Sequence, residues 1–181
     1  MESEKRQKVL NLIDERKDTI IEFLQKLVSF PSVTGDEWEI QNFIADKLHD
    51  IALKVDMWEP DHEELKKHPA YVPVDQGYEK RPNVVGLYKG TGDGKSLLFN
   101  GHVDVIPAGP SDSWDYGPFS SEIHDRRLYG RGSSDMKSGL AAMTMALDCL
   151  LEAGIRLKGD IILEYVMDEE LSGNGTLACV M

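Results

Sequence analysis

Apolar residues recur at helical spacing over residues 7–29, as Val9, Leu10, Leu12, Ile13, Ile20, Phe23, Leu24, Leu27 and Val28, with the polar run DERKDT in the middle. The pattern predicts one amphipathic helix or two abutting ones, stopped at Pro31. In SVTGDE, Thr34 or Asp36 offers a cap for a further helix that carries Ile40, Phe43, Ile44, Leu48 and Ile51 on one face. Residues 54–59 read as a strand. Residues 60–82 turn polar and irregular, so His62 and His68 are expected to be solvated on a surface excursion.

Residues 83–88 and 96–100 are short β-prone runs joined by KGTGDGK, which predicts two strands linked by a hairpin or tight connection. This glycine-rich turn is not a phosphate loop. The first glycine of the GxxxxGK[ST] spacing would fall on Lys89, and a strand follows Ser96 where a helix dipole would be needed. A short hairpin over residues 121–129 precedes GRGSSDMKSG. Then Leu140, Met143, Leu147, Leu150 and Leu151 mark the buried stripe of a helix ended by Gly154. Residues 158–167, containing DIILEYVM, form a last strand with enough consecutive apolar residues to be central in its sheet. Strands interleaved with helices indicate a layered α/β architecture.

With 181 residues and 41% hydrophobic content, the chain can bury one sizeable core in one compact domain. Acidic residues outnumber basic ones by 32 to 20, for a net charge of -12, which argues against nucleic acid as a partner. Cys149 and Cys179 sit in apolar segments without a CxxC partner, so neither a disulfide framework nor a cysteine metal site is indicated and a reducing compartment fits. The charged start MESEKRQK and the lack of a long apolar run predict a soluble, cytoplasmic protein without a membrane partner.

Candidate chemistry lies in three places. NGHVDVIP sets His102 and Asp104 two residues apart at the end of an apolar run; on a strand, that spacing points both side chains to one face and lets the carboxylate brace the imidazole. Such a histidine is a metal-ligand arrangement, or merely a strand-end histidine satisfied by its neighbour. Asp135 lies between a glycine-rich turn and a helix start, where it is either a ligand at the sheet edge or a helix N-cap. Asp168, Glu169 and Glu170 end a buried strand. Three adjacent carboxylates there repel one another unless a cation compensates or the segment is a solvated loop. A histidine with several carboxylates suits zinc or a similar divalent ion.

NGHVDVIP, WDYGPF, LYGRGSSDMKSG and DEELSGNGT, in this order, resemble the successive signatures of the co-catalytic zinc amidohydrolases and peptidases. This family includes acetylornithine deacetylase, succinyl-diaminopimelate desuccinylase, aminoacylase and glutamate carboxypeptidase. The resemblance covers nearly the whole chain, with the helical start and SFPSVTGDE also fitting. It implies a three-layer α/β/α catalytic domain with a mixed sheet. His102 would be a ligand of one zinc, Asp135 the carboxylate bridging two ions and Glu170 a ligand of the second. Asp104 would orient His102, and Glu169 would be the general base in metal-dependent hydrolysis of an amide in an N-acyl amino acid or small peptide. Co2+ or Mn2+ could replace Zn2+. A cis peptide is implied between Asp135 and Met136. Asp168, Arg131 and Ser138 are left holding turns.

Family members continue past DEE with another carboxylate ligand, a lid domain that often dimerises and a late histidine. The resemblance therefore makes residues 1–181 the N-terminal part of the catalytic domain, inactive alone and homodimeric when full length. The competing class is a non-catalytic remnant acting as a binding or interaction module. Intact His102, Asp104, Asp135, Glu169 and Glu170 argue against it, because folding does not require all five.

Overall fold

A computed structural model describes residues 2–181. The polar interruption near the start separates two abutting helices, α1 (Glu2–Glu15) and α2 (Lys17–Ser29). Arg16 sits at the break and pairs with Asp148 at 2.8 Å and Glu152 at 2.5 Å, while Lys47 reaches the same Asp148 oxygen at 2.8 Å. α3 (Trp38–Asp50) follows, burying Ile40, Ile44 and Leu48. Neither Thr34 nor Asp36 caps it. Glu37 precedes the first turn without a side-chain cap, because its carboxylate turns inward to Arg81, and Thr34 donates instead to Asp104.

β1 (Lys54–Trp58) leads to a short helix, α4 (His62–Leu65), capped by the Asp61 carboxylate. Residues 60–82 are more than a solvated excursion. Leu65 and Tyr78 are buried with Met167 in a second apolar cluster. His62 is half-buried there, its Nε2 2.8 Å from the Tyr71 hydroxyl and its ring edge-on to Tyr78. The apolar residues scattered among the charges carry this packing. His68 stays half-buried and accepts the Ala70 N–H.

The remaining elements are β2 (Asn83–Tyr88), β3 (Leu97–His102), the hairpin β4 (Ile123–His124) and β5 (Arg127–Leu128), α5 (Ser138–Glu152), β6 (Ile161–Val166) and α6 (Asn174–Val180). The main sheet has the order β1-β2-β6-β3, with β2 antiparallel to β1 and β6 and with β3 parallel to β6. β2 and β3 therefore do not form the expected hairpin, and β6 lies between them. The KGTGDGK turn instead locks onto the turn before β6. The N–H groups of Thr91 and Gly92 donate to the carbonyls of Leu157 and Lys158 at 3.0 and 3.1 Å, and a Cβ at Gly159 would collide with the Lys95 carbonyl. The most apolar strand thereby gains partners on both edges, as its composition predicted.

Alternation along the strands splits their side chains between two faces. Val84, Leu163 and Tyr165 pack with Phe23, Leu27, Ile40, Ile44, Leu48 and Leu140 from α2, α3 and α5. On the opposite face, Asn83 donates to the Gly175 carbonyl of α6 at 2.8 Å and Thr176 to Asn100 at 3.2 Å. This is the expected α/β fold with a mixed sheet and helices on both faces. β3 ends the sheet on one side, leaving Leu97, Leu98 and Phe99 exposed.

Candidate metal centre

Parallel pairing sets His102 opposite Val166, so the chains leaving β3 and β6 emerge side by side at the carboxyl ends of the two strands. Past β6, Asp168 adopts φ +64 and turns the chain back. The next two N–H groups, of Glu169 and Glu170, then donate to the two Asp104 carboxylate oxygens at 3.0 and 3.2 Å. Thr34 donates to the same carboxylate at 2.7 Å. Burial would raise the pKa of Asp104, but His102, Thr34 and the Glu169 N–H outweigh it and hold the group below its ordinary value.

His102 is buried. Its Nδ1 lies 2.9 Å from the Asp104 carbonyl oxygen, with the Asp104 carboxylate behind it at 3.5 Å. The sequence spacing put the carboxylate itself on the ring. The main-chain carbonyl takes that place because three other donors already occupy the carboxylate. With Nδ1 anchored, Nε2 points outward, 3.0 Å from Asp135 Oδ1 and 3.8 Å from Glu169 Oε2. Burial would lower the His102 pKa, but the side chains of Asp104 and Asp135 raise it to about 9.

Asp135 occupies a tight turn, Ser133–Lys137, and its peptide bond to Met136 is cis. It is not the cap of α5, which starts after Lys137 without a side-chain cap. Gly101 allows this turn to dock. A Cβ there would lie 2.7 Å from both Leu140 Cδ2 and Met136 Cε, and the His102 N–H meets Met136 Sδ at 3.4 Å. Ligand atoms of His102, Asp135 and Glu170 all come within 4.8 Å of one another. Burial raises the Glu170 pKa, His102 opposes this, and the charges of Asp135, Asp104 and Glu169 raise it further. Asp135 and Glu170 also line an open cleft of about 240 Å³ with Ile106, Arg131 and Ser133.

Residues 98–181 match the family described as Peptidase_M20, peptidase family M20/M25/M40. These residues carry an M20 peptidase family domain. It is 36% identical over 172 residues to an N-formyl-4-amino-5-aminomethyl-2-methylpyrimidine deformylase of Bacillus subtilis, covering 92% of this chain and 36% of that protein. Among solved structures, the M20 family metallo-carboxypeptidase Sso-CP2 of Sulfolobus solfataricus is 27% identical with a TM-score of 0.66, over 88% of this chain and 32% of the other. The dipeptidase Dug1p of Saccharomyces cerevisiae has a TM-score of 0.75 at 23% identity, over 92% and 35% of the two chains, and supports the fold alone. The chain thus spans little more than a third of the length of the curated relatives it matches. Among its described residues, no helix is long and apolar enough to cross a membrane.

The donor chemistry fits a divalent cation. One imidazole nitrogen is directed outward by the anchoring of the other, and two carboxylates that repel each other face it. Asp104 faces away from this group, and Glu169 remains half-exposed beside it.

Behind the donors lies a charged layer that the sequence did not reveal. Arg81 binds Glu37 through Nε at 2.9 Å and Nη2 at 2.7 Å, and Asp168 at 3.0 Å. Lys137 is fully buried and donates to the Phe30 carbonyl at 2.7 Å; burial lowers its pKa to about 7, with Asp104 opposing. The one available signal was a charge directly before an apolar strand, as in KRPNVV. Arg131, expected to hold a turn, donates its N–H to the Pro118 carbonyl at 2.7 Å, with its guanidinium 5.2 Å from the Trp114 ring centroid.

Proposed function

We propose that the protein containing this chain hydrolyses an amide bond in a small N-acyl substrate with the help of divalent metal, zinc foremost. N-acyl amino acids and small peptides form the substrate class, and the deformylase likeness adds N-formyl amines to it. The observation that carries this reading is the convergence of His102, Asp135 and Glu170, donors from three separate segments, within 4.8 Å beside a cleft.

In this reading His102 would hold one ion, Glu170 would hold a second and Asp135 would serve both, with Co2+ or Mn2+ able to replace Zn2+. When bound there, the metal would supply Lewis acidity for the substrate carbonyl and for a water whose pKa it would lower. Asp104 keeps the His102 ring oriented through its carbonyl and fixes the Glu169 and Glu170 backbone through its carboxylate. Glu169 is the general base: it accepts the proton of the attacking water and returns it to the leaving amine. Its carboxylate makes no hydrogen bond among the described residues and stands half-exposed beside His102, so it is free for that work, unlike a carboxylate committed to metal. Residues 1–181 supply the N-terminal part of the catalytic domain, and the whole protein acts as a cytoplasmic homodimer.

The test is hydrolysis of a panel of N-formyl and N-acetyl amino acids and dipeptides by the protein carrying this chain. Activity should disappear with a chelator and return with zinc. Hydrolysis indifferent to chelation, or none across the panel with zinc present, contradicts the proposal.

A further inference from the structure

Arg81 is almost wholly buried, and its guanidinium is shared by two carboxylates, Glu37 and Asp168, that are fully buried. One guanidinium shared by two carboxylates makes a polar group set wholly away from water. Such a group is a poor device for stability, since apolar residues of similar volume generally serve as well or better. Its placement suggests another use, because each carboxylate belongs to a loop that ends on Asp104. Glu37 accepts the Gly35 N–H at 3.0 Å, and the neighbouring Thr34 donates to Asp104. Asp168 is the residue before Glu169 and Glu170, and its φ of +64 is one that a non-glycine residue adopts only when its surroundings hold it there. Ser172 donates to its other oxygen.

We propose that Arg81 is a positioning residue for the metal donor Glu170. By clamping Asp168 against Glu37, it holds the turn that delivers the Glu169 and Glu170 N–H groups to Asp104 and so sets Glu170 across from His102 and Asp135. This rests on the metal reading above. Arg81 touches none of the three donors in the hydrogen bonds or ion pairs it makes, so its influence passes through Asp168.

The test is a double-mutant cycle in zinc affinity on the protein containing this chain, read by competition with a chromophoric chelator. Arg81→Lys keeps the charge but loses the planar fork that engages both carboxylates. Alone, it should weaken zinc binding about tenfold, within the range found for residues that orient metal ligands. In a Glu170→Gln background it should weaken the residual binding by less than about twofold, because the donor it positions is already gone. A general loosening of the fold would lower affinity by the same factor in both backgrounds. That result, or no loss in the single variant, overturns the proposal. Should Arg81→Lys fail to fold, Asp168→Asn, which leaves the Arg81–Glu37 pair in place, must give the same non-additive pattern. Absence of saturable zinc binding in the unaltered protein would overturn the metal reading itself, and the role of Arg81 with it.

Discussion

His102 Nε2 lies 3.0 Å from the Asp135 carboxylate, although one residue ends strand β3 and the other sits in the turn before α5. With Nδ1 held by the Asp104 carbonyl, this outward nitrogen is where a proton and a metal compete. The His102 pKa is raised to about 9, so its charged partners favour the protonated ring up to that pH, and the stability they lend to the metal-free fold is lost as pH rises through it. Zinc affinity should therefore climb between pH 6 and 9, as no proton has to be displaced from a ring already neutral. Calorimetry in two buffers of different ionisation enthalpy should find about one proton released per zinc at pH 7. Binding without proton release would contradict this.

Glu169 and Glu170 are adjacent yet assigned different work. In the active protein, Glu169→Gln should lower turnover by at least about a hundredfold with little change in metal content, since general-base assistance contributes about that much or more. Glu170→Gln should weaken metal binding. Metal analysis alongside kinetics decides the matter, and equal metal loss in both variants would overturn the division.

Asp104→Asn should destabilise the fold by about 1–3 kcal/mol. The carboxylate accepts three donors, whereas an amide offers one oxygen and turns an NH2 group toward a backbone N–H. Urea unfolding measures this, and an unchanged midpoint would show that the three bonds are not holding the turn after β6.

Much of this architecture was legible from periodicity. Helices α1, α2, α3 and α5, the strand β1 and the central β6 announce themselves through the spacing or density of apolar residues, whereas α4 and α6 are too short to show a period. The placement of β6 between β2 and β3 was not legible, because KGTGDGK has a hairpin-like composition and only its contact with the turn before β6 shows that it leads elsewhere. At the candidate site, His102, Asp104 and the residues 168–170 stood out because charges at the ends of apolar runs are conspicuous. Arg81 and Glu37 did not. They are 44 residues apart, each surrounded by other charges, and apart from the place of Arg81 just before an apolar strand nothing local distinguishes a buried ion pair from a solvated one.

Asp148 supplies a pH-dependent test remote from the site. Burial would raise its pKa, but Arg16 and Lys47 hold it below the ordinary carboxylate value. A depressed carboxylate lends stability above its unfolded pKa, about 3.9, and loses it as pH falls through the lower folded value. Asp148→Asn should cost about 1–3 kcal/mol near neutrality and flatten the fall in stability below about pH 4. Urea midpoints across pH 2 to 7 check this, and parallel curves for the two proteins would remove Asp148 from the acid response.

The central claim is that His102, Asp135 and Glu170 form one metal site. Anomalous diffraction at the zinc edge, from crystals of the protein containing this chain grown with zinc, tests it most directly. The account predicts anomalous density at this group, with His102 Nε2 on one ion, Glu170 on another and the Asp135 carboxylate between them. Crystals holding zinc elsewhere while these three side chains bind none would contradict it.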